Sequence, residues 1–212
     1  MSERVNELIS SDIEWRVGEI ALIKSIAASP SLTDEKKDVA LRYSVPAFYA
    51  VWEGFVVNAF SEYTKYLNSK NIEFDKINSD ILAYHSYSTL NLLSPPHEIK
   101  KKKNFLLNIY NYVANKINLS PIVPADSNVD YNQLSYISKC YAVETIDEGK
   151  YRGGLNKLVN YRNRIAHGEH SIKVTEDLIN EFSALILSSM DEVSQKIADA
   201  INGEKYLLYP IK

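Results

Sequence analysis

Residues 48–63 of this 212-residue chain read FYAVWEGFVVNAFSEY and are apolar or aromatic on nearly every side of a helix. A helix of this kind belongs in the centre of a globular core, because none of its faces suits water. The apolar pattern begins after Thr33, a typical N-cap residue that two acidic residues follow. It predicts a central helix from about residue 34 to residue 67, with a kink or a break at Pro46.

Apolar residues recur at three- and four-residue steps on both sides of this stretch, as they do in amphipathic helices. The further predicted helices cover about residues 3–28, 98–117, 131–140, 155–167 and 176–201. Residues 69–96 have weaker periodicity and predict a loop-rich excursion, and no segment is a clear candidate for a strand. The sequence therefore predicts an all-α fold with about five to seven helices, in a single domain that spans residues 1–212.

The composition argues against several classes of protein. Seven Gly and seven Pro are too few for a turn-dense sandwich or barrel, while 45% hydrophobic residues suffice for a buried core. One Cys and four His argue against a disulfide framework and a structural zinc site, so no metal site is expected. The 24 basic and 27 acidic residues give a net charge of −3. Any binding of phosphate must therefore be local rather than due to a global positive field.

The chain also lacks the patterns that direct a protein to a membrane or out of the cell. Its first residues alternate charged and apolar side chains, without the apolar stretch that a secretory signal needs. No window approaches the roughly 18 uncharged apolar residues of a membrane-spanning helix. We therefore expect a cytoplasmic protein that makes no contact with a membrane.

The helix predicted for residues 155–167 carries an arginine on its apolar side. On a helical wheel, Arg162 lies near the middle of an arc that consists of Leu155, Leu158, Val159, Ile165 and Ala166. A guanidinium stays charged at physiological pH, so its burial without a partner would cost several kcal/mol. Arg162 therefore needs either an ion-pair partner, for which Glu53 is the best candidate, or a wet cleft. The two alternatives are compatible.

The string LVNYRNRIAHGEH, residues 158–170, resembles the signature helix of the HEPN superfamily. In both, an arginine and a polar residue precede a histidine, here Arg162, Asn163 and His167, with four residues between the arginine and the histidine. Two further motifs, AVWEGF at residues 50–55 and SNVDY at residues 127–131, are similar to the stand-alone bacterial branch known as the MAE type. The resemblance depends on the three motifs together, because the spacing alone is a weak signal.

The resemblance implies an all-α HEPN fold, a homodimer with two-fold symmetry and no cofactor. In active members it implies a metal-independent endoribonuclease whose site is shared across the dimer interface. The catalytic residues would be Arg162, Asn163 and His167. Because RNA supplies its own nucleophile, the 2′-OH, such a site needs only proton transfer and positive charge at the phosphate. His167 would transfer protons, Arg162 would hold the phosphate, and Asn163 would orient the imidazole or donate to the phosphate.

The same resemblance suggests the partners and the setting. RNA is the expected substrate, in a toxin–antitoxin, antiviral defence or stress system, and an antitoxin or a nucleotidyltransferase is a possible partner. The family's tyrosine two residues after the histidine is replaced by Glu169. This departure argues against the subgroup whose motif tyrosine is nucleotidylated by a partner enzyme.

Other interpretations of these residues stay open at the level of sequence. Glu53 is a supporting residue, whereas Arg164 and His170 are either a solvated pair beside the site or contacts to the RNA backbone. His167 alone would fit a histidine that interacts with the dipole of its helix. The chain could also be a catalytically silent HEPN module that binds RNA, a nucleotide or a partner protein. A third alternative is a helical adaptor in which Arg162 and His167 are only structural.

Overall fold

The computed structural model describes residues 2–89, 98–114, 116–125 and 128–209, and in these residues it contains no strand. Its seven α-helices are α1 (Ser2–Ala27), α2 (Asp34–Ser69), α3 (Ser79–Thr89), α4 (Ile99–Ala114), α5 (Tyr131–Cys140), α6 (Glu148–Ala166) and α7 (Glu176–Asn202). A 3-10 turn at Phe74–Lys76 precedes α3, and an isolated antiparallel bridge joins Ile77 to Leu207. The prediction of an all-α fold is confirmed. No helix in the described ranges has the length and apolar character that a membrane crossing requires.

The central helix α2 packs against α1, α6 and α7. Its fully buried side chains include Phe48, Trp52, Phe55 and Phe60, which form the middle of the hydrophobic core. The apolar character of residues 48–63 on nearly every side is explained by this position, because neighbouring helices cover α2 from several directions. α2 is therefore a fixed frame on which the candidate site is built.

Pro46 lies inside α2, and the helix continues through it without interruption. The alternative of a break into two helices is therefore wrong. Proline lacks the N–H that would bond to the carbonyl four residues earlier, so the sequence alone indicates a weak point. The helix persists because Val45 and Phe48, on either side of the proline, are both fully buried in the core. Their packing offsets the lost hydrogen bond.

Gly54 of the AVWEGF motif allows a close contact between α1 and α2. A Cβ atom at Gly54 would lie 3.0 Å from Nη1 of Arg16. The guanidinium of Arg16 is buried there, where Nη1 donates to the carbonyl of Val51 at 2.8 Å and Nε donates to Asp12 Oδ2 at 2.8 Å. Part of this motif thus serves the packing of the bundle rather than the candidate site.

α6 begins at Glu148, two turns before the predicted start at residue 155. The Gly153-Gly154 pair argued for a later start, since glycine is unfavourable inside a helix. The helix nevertheless starts early because Asp147 caps it, accepting a hydrogen bond from the backbone N–H of Lys150 at 2.6 Å. A Cβ at Gly154 would lie 2.8 Å from the Leu185 side chain, so this glycine lets α6 approach α7 closely.

The segment predicted as a loop-rich excursion, residues 69–96, contains the 3-10 turn and all of α3. The prediction underestimated its helical content because α3 is short and has few periodic apolar residues, although Ile81 is fully buried. Residues 90–96 of this segment lie outside the described residues. The remaining helices fit the sequence better. α5 has the predicted bounds, those of α1 and α7 differ by one residue, and α4 ends three residues before the predicted end.

Candidate active site at the end of α6

Arg162 lies on α6 where this helix meets α2, and its side chain is half-buried. The guanidinium carbon is 4.6 Å from the centroid of the Tyr49 ring, a cation–π contact. Its Nη1 donates to Oδ1 of Asn163 at 2.7 Å and to Oδ1 of Asn128 at 3.0 Å. All three partners are neutral. Among the described residues, no carboxylate forms an ion pair with Arg162 or cancels its charge by direct contact.

Tyr49 connects the arginine to the rest of the site. Its hydroxyl donates to Oε1 of Glu53 at 2.8 Å and accepts from the backbone N–H of Val129 at 2.9 Å. Burial raises the pKa of Tyr49 well above its ordinary value, which keeps the hydroxyl protonated and able to donate. The predicted direct ion pair between Glu53 and Arg162 is therefore wrong. Glu53 instead binds the hydroxyl of the ring on which Arg162 lies.

The connector before α5 supplies the second amide that holds Arg162. The indole Nε1 of Trp52 donates to the carbonyl of Val129 at 2.7 Å, and Tyr49 binds the N–H of the same residue. Two side chains of α2 thus fix Val129, and the neighbouring Asn128 reaches Arg162. Asp130 then caps α5 by accepting from the backbone N–H of Gln133. Ser127, the first residue of the SNVDY motif, lies outside the described residues.

His167 is the C-cap residue of α6, and its side chain is exposed. Its backbone N–H donates to the carbonyl of Asn163 at 2.9 Å, which fixes the end of the helix. Gly168 follows with φ of 82°, in the left-handed region where a residue without a Cβ is favoured. The chain turns away at this point, so the imidazole stands at the edge of the helix end and is accessible to a ligand from solvent.

The side chain of Asn163 binds Arg162 rather than the imidazole of His167. Its Oδ1 accepts from the guanidinium, so it does not orient the imidazole in this structure. Its Nδ2 has no partner among the described residues, which leaves two donors for a phosphate. The sequence predicts two alternative roles for Asn163, which are orientation of the imidazole and donation to the phosphate. In the structure its side chain orients the arginine instead of the imidazole.

Arg164 and His170 lie at the surface, as the solvated alternative requires. Arg164, however, pairs with Glu169: its Nε donates to Oε2 at 2.8 Å, and its Nη2 donates to Oε1. The hydrogen bond from Arg164 lowers the pKa of Glu169. Glu169, two residues after His167, thus holds Arg164. The carbonyl of His170 accepts from Nη1 of Arg42 at 3.2 Å.

Two residues of the site, Tyr49 and Asn128, were not singled out for a role by the sequence. Tyr49 precedes Glu53 by one helical turn, a spacing that places both on one face of α2 and could have indicated a pair. Asn128 belongs to the SNVDY motif, but no spacing rule shows that it contacts α6. Within the described ranges, no group of three or more His, Cys, Asp or Glu side chains is placed to bind a metal ion.

An all-helical bundle in which an arginine and a histidine, with four residues between them, lie at the end of one helix defines a module of the HEPN class. The model of the MAE_28990-like HEPN family matches residues 5–206, and the chain belongs to this family. No curated protein and no solved structure matches the chain.

Proposed function

We propose that this chain is a metal-independent endoribonuclease, which cleaves RNA through attack of the substrate 2′-OH on the adjacent phosphate. The observation that carries the proposal is the guanidinium of Arg162, whose partners among the described residues are all neutral. A charge that no carboxylate cancels attracts an anion more strongly than an ion-paired one does. Because the chain has a net charge of −3, a phosphate must bind to local positive charge, and Arg162 supplies such a charge.

The remaining donors of Arg162 suit a phosphate. Nη1 is used by Asn128 and Asn163, whereas Nε and Nη2 have no hydrogen-bond partner among the described residues. These two nitrogens form one edge of the planar guanidinium, which can donate two parallel hydrogen bonds to two phosphate oxygens. Because Tyr49 and the two amides already fix the group, little entropy is lost when the phosphate binds.

His167 supplies the proton transfer in this proposal. An exposed neutral imidazole accepts the proton of the 2′-OH while the bond from O2′ to phosphorus forms. A protonated imidazole donates to O5′ while the bond from phosphorus to O5′ breaks. The products are one fragment with a 2′,3′-cyclic phosphate and one with a free 5′-OH. Arg162 and the Nδ2 amino group of Asn163 stabilise the charge on the phosphorane oxygens while these two proton transfers take place.

A homodimer completes the site. One imidazole cannot be both the proton acceptor and the proton donor in one step, so a second copy of His167 is needed for concerted transfer. Arg162 and His167 are separated by about 140° around α6. A two-fold axis beside the ends of two α6 helices would bring Arg162 and His167 of both subunits into one shared active site. The setting in a toxin–antitoxin, defence or stress system, with an antitoxin as partner, is part of the proposal and rests on the family.

The test is cleavage of single-stranded RNA in EDTA by wild type and by the His167→Ala and Arg162→Ala variants. Each substitution is expected to lower the rate by about 100-fold or more, because it removes a proton-transfer or phosphate-binding group. Arg152→Ala is the matched control, because Arg152 is an exposed arginine near the start of the same helix and pairs with Glu148. Equal rates for wild type and His167→Ala would contradict the proposal of an enzyme.

Two other results would support the other interpretations. RNA binding without cleavage would support a catalytically silent module. A loss of stability in Arg162→Ala without any change in RNA binding would support a helical adaptor.

A further inference from the structure

A cleft of about 620 Å³ lies between the start of α2 and the segment 170–175 that follows α6. This volume is in the range of small-ligand sites. One wall is formed by the first turns of α2, and the hydrogen bond from Nη1 of Arg42 to the carbonyl of His170 joins it to the other wall. This hydrogen bond holds the two walls of the cleft together.

The cleft adjoins the proposed active site. His170, which lines it, is three residues after His167. On the other wall, Arg42 precedes Tyr49 by seven residues of α2, which is about 10 Å along the axis at a rise of about 1.5 Å per residue. One strand of RNA can therefore occupy the cleft and the Arg162 site at the same time.

The lining of the cleft combines three kinds of surface. Arg42 and Lys173 supply positive charge, and Glu35 and Asp38 supply negative charge. In the part of the chain that the structure describes, Lys173 and the two carboxylates form no ion pair. Apolar contact comes mainly from the exposed side chain of Val39, which lies beside the largely buried Ile172 and Val174. A ligand that matches this lining carries an anionic group, a flat apolar body and polar N–H donors.

We infer that the cleft binds one nucleotide of the substrate RNA, next to the scissile phosphate. Its phosphate lies at Arg42 and Lys173, its base packs on the apolar wall, and the base edge donates to the carboxylates of Glu35 and Asp38. Uracil presents one N–H at its pairing edge, whereas the other three bases present an amino group. The cleft therefore disfavours uridine. This inference deepens the proposed function and rests on it.

The phosphate contact is tested with a 2′-O-methyl RNA, which cannot be cleaved because its 2′-oxygen carries no proton. Lys173→Ala is expected to weaken binding about five-fold, the effect of one net hydrogen bond. It also lowers the slope of log affinity against log salt by about 0.7, the value for one contact to single-stranded nucleic acid. Lys36→Ala is the matched control, because Lys36 is an exposed lysine of α2 outside the cleft. Wild-type affinity and slope in Lys173→Ala would overturn the inference.

The base contact is tested by comparing oligo(A) with oligo(U) as ligands. Wild type is expected to prefer oligo(A), and Asp38→Asn reduces this preference because the amide offers a donor where the base needs an acceptor. Asp34→Asn, in the first turn of α2 and outside the cleft, keeps the preference. An unchanged preference in Asp38→Asn would overturn the contact. If His167→Ala stops cleavage while Lys173→Ala and Asp38→Asn bind as wild type does, the cleft inference fails and the proposed active site stands.

Discussion

Arg162 is a charged residue on an apolar arc, and its environment could be predicted only in part. The helical wheel shows that a charge at this position needs a partner, because four neighbours on the arc, Leu155, Leu158, Val159 and Ile165, are buried. It does not show which side chain of another helix lies opposite, since packing decides this. The partner is the ring of Tyr49 rather than the carboxylate of Glu53. The fifth predicted member of the arc, Ala166, is exposed, because α6 ends there.

Removal of the Tyr49 hydroxyl tests how firmly the site is anchored. Tyr49→Phe keeps the ring under Arg162 but leaves the buried N–H of Val129 without its acceptor. We expect the free energy of unfolding to fall by about 1–3 kcal/mol, the cost of one unsatisfied buried donor. Urea denaturation measures it, with Tyr43→Phe as control, because the Tyr43 side chain is exposed on the same helix. An equal stability of the two variants would contradict the anchoring role.

At the scale of whole helices, periodicity was a better guide than single glycines and prolines. The long apolar stripes of α1, α2 and α7 fix their positions, whereas Pro46 and the Gly153-Gly154 pair suggested boundaries that do not exist. Each glycine inside a helix costs about 1 kcal/mol relative to alanine. Burial of Tyr151 and Leu155 on the same helix stabilises it by more than that. Such tertiary contacts are not visible in one stretch of sequence.

α3 makes the stability of the bundle depend on pH. His85 is buried beside the rings of Tyr84 and Tyr141, and burial lowers its pKa from 6.5 to about 4. The unfolded chain takes up this proton below pH 6.5, while the folded chain takes it up only near pH 4. Stability is therefore lost as the pH falls through this window.

The contribution of His85 is isolated by comparison with His85→Phe. Between pH 7 and pH 5, wild type should lose about 2 kcal/mol more of its unfolding free energy than the variant does. Urea denaturation at the two pH values gives the difference, and the carboxylates common to both proteins cancel. An identical loss in the two proteins would show that His85 does not contribute.

For the whole molecule, the fold brings together three motifs that are far apart in the sequence. The AVWEGF motif of α2 supplies Glu53 and directly follows Tyr49. The SNVDY motif supplies Asn128, and the LVNYRNRIAHGEH motif supplies Arg162. The motifs could be recognised one by one in the sequence. Their contacts could not, because they depend on how α6 crosses α2 in the folded bundle.

The homodimer is also tested at the scale of the whole molecule. We expect sedimentation velocity to give twice the mass of one chain at the concentrations where RNA is cut. The activity per chain should fall on dilution in step with dissociation, because each active site of the proposed mechanism takes groups from two subunits. Full activity of a strict monomer would contradict the shared site.

The central claim is that the substrate 2′-OH attacks its own phosphate with the help of His167. It is tested most directly with two RNA oligonucleotides in EDTA, one unmodified and one with a single 2′-deoxy nucleotide at the cleavage position. Wild type should convert the first into a 2′,3′-cyclic phosphate and a 5′-OH fragment and leave the second uncut at that position. His167→Ala should cut neither. Cleavage at the 2′-deoxy position, or products that carry a 5′-phosphate, would contradict the account.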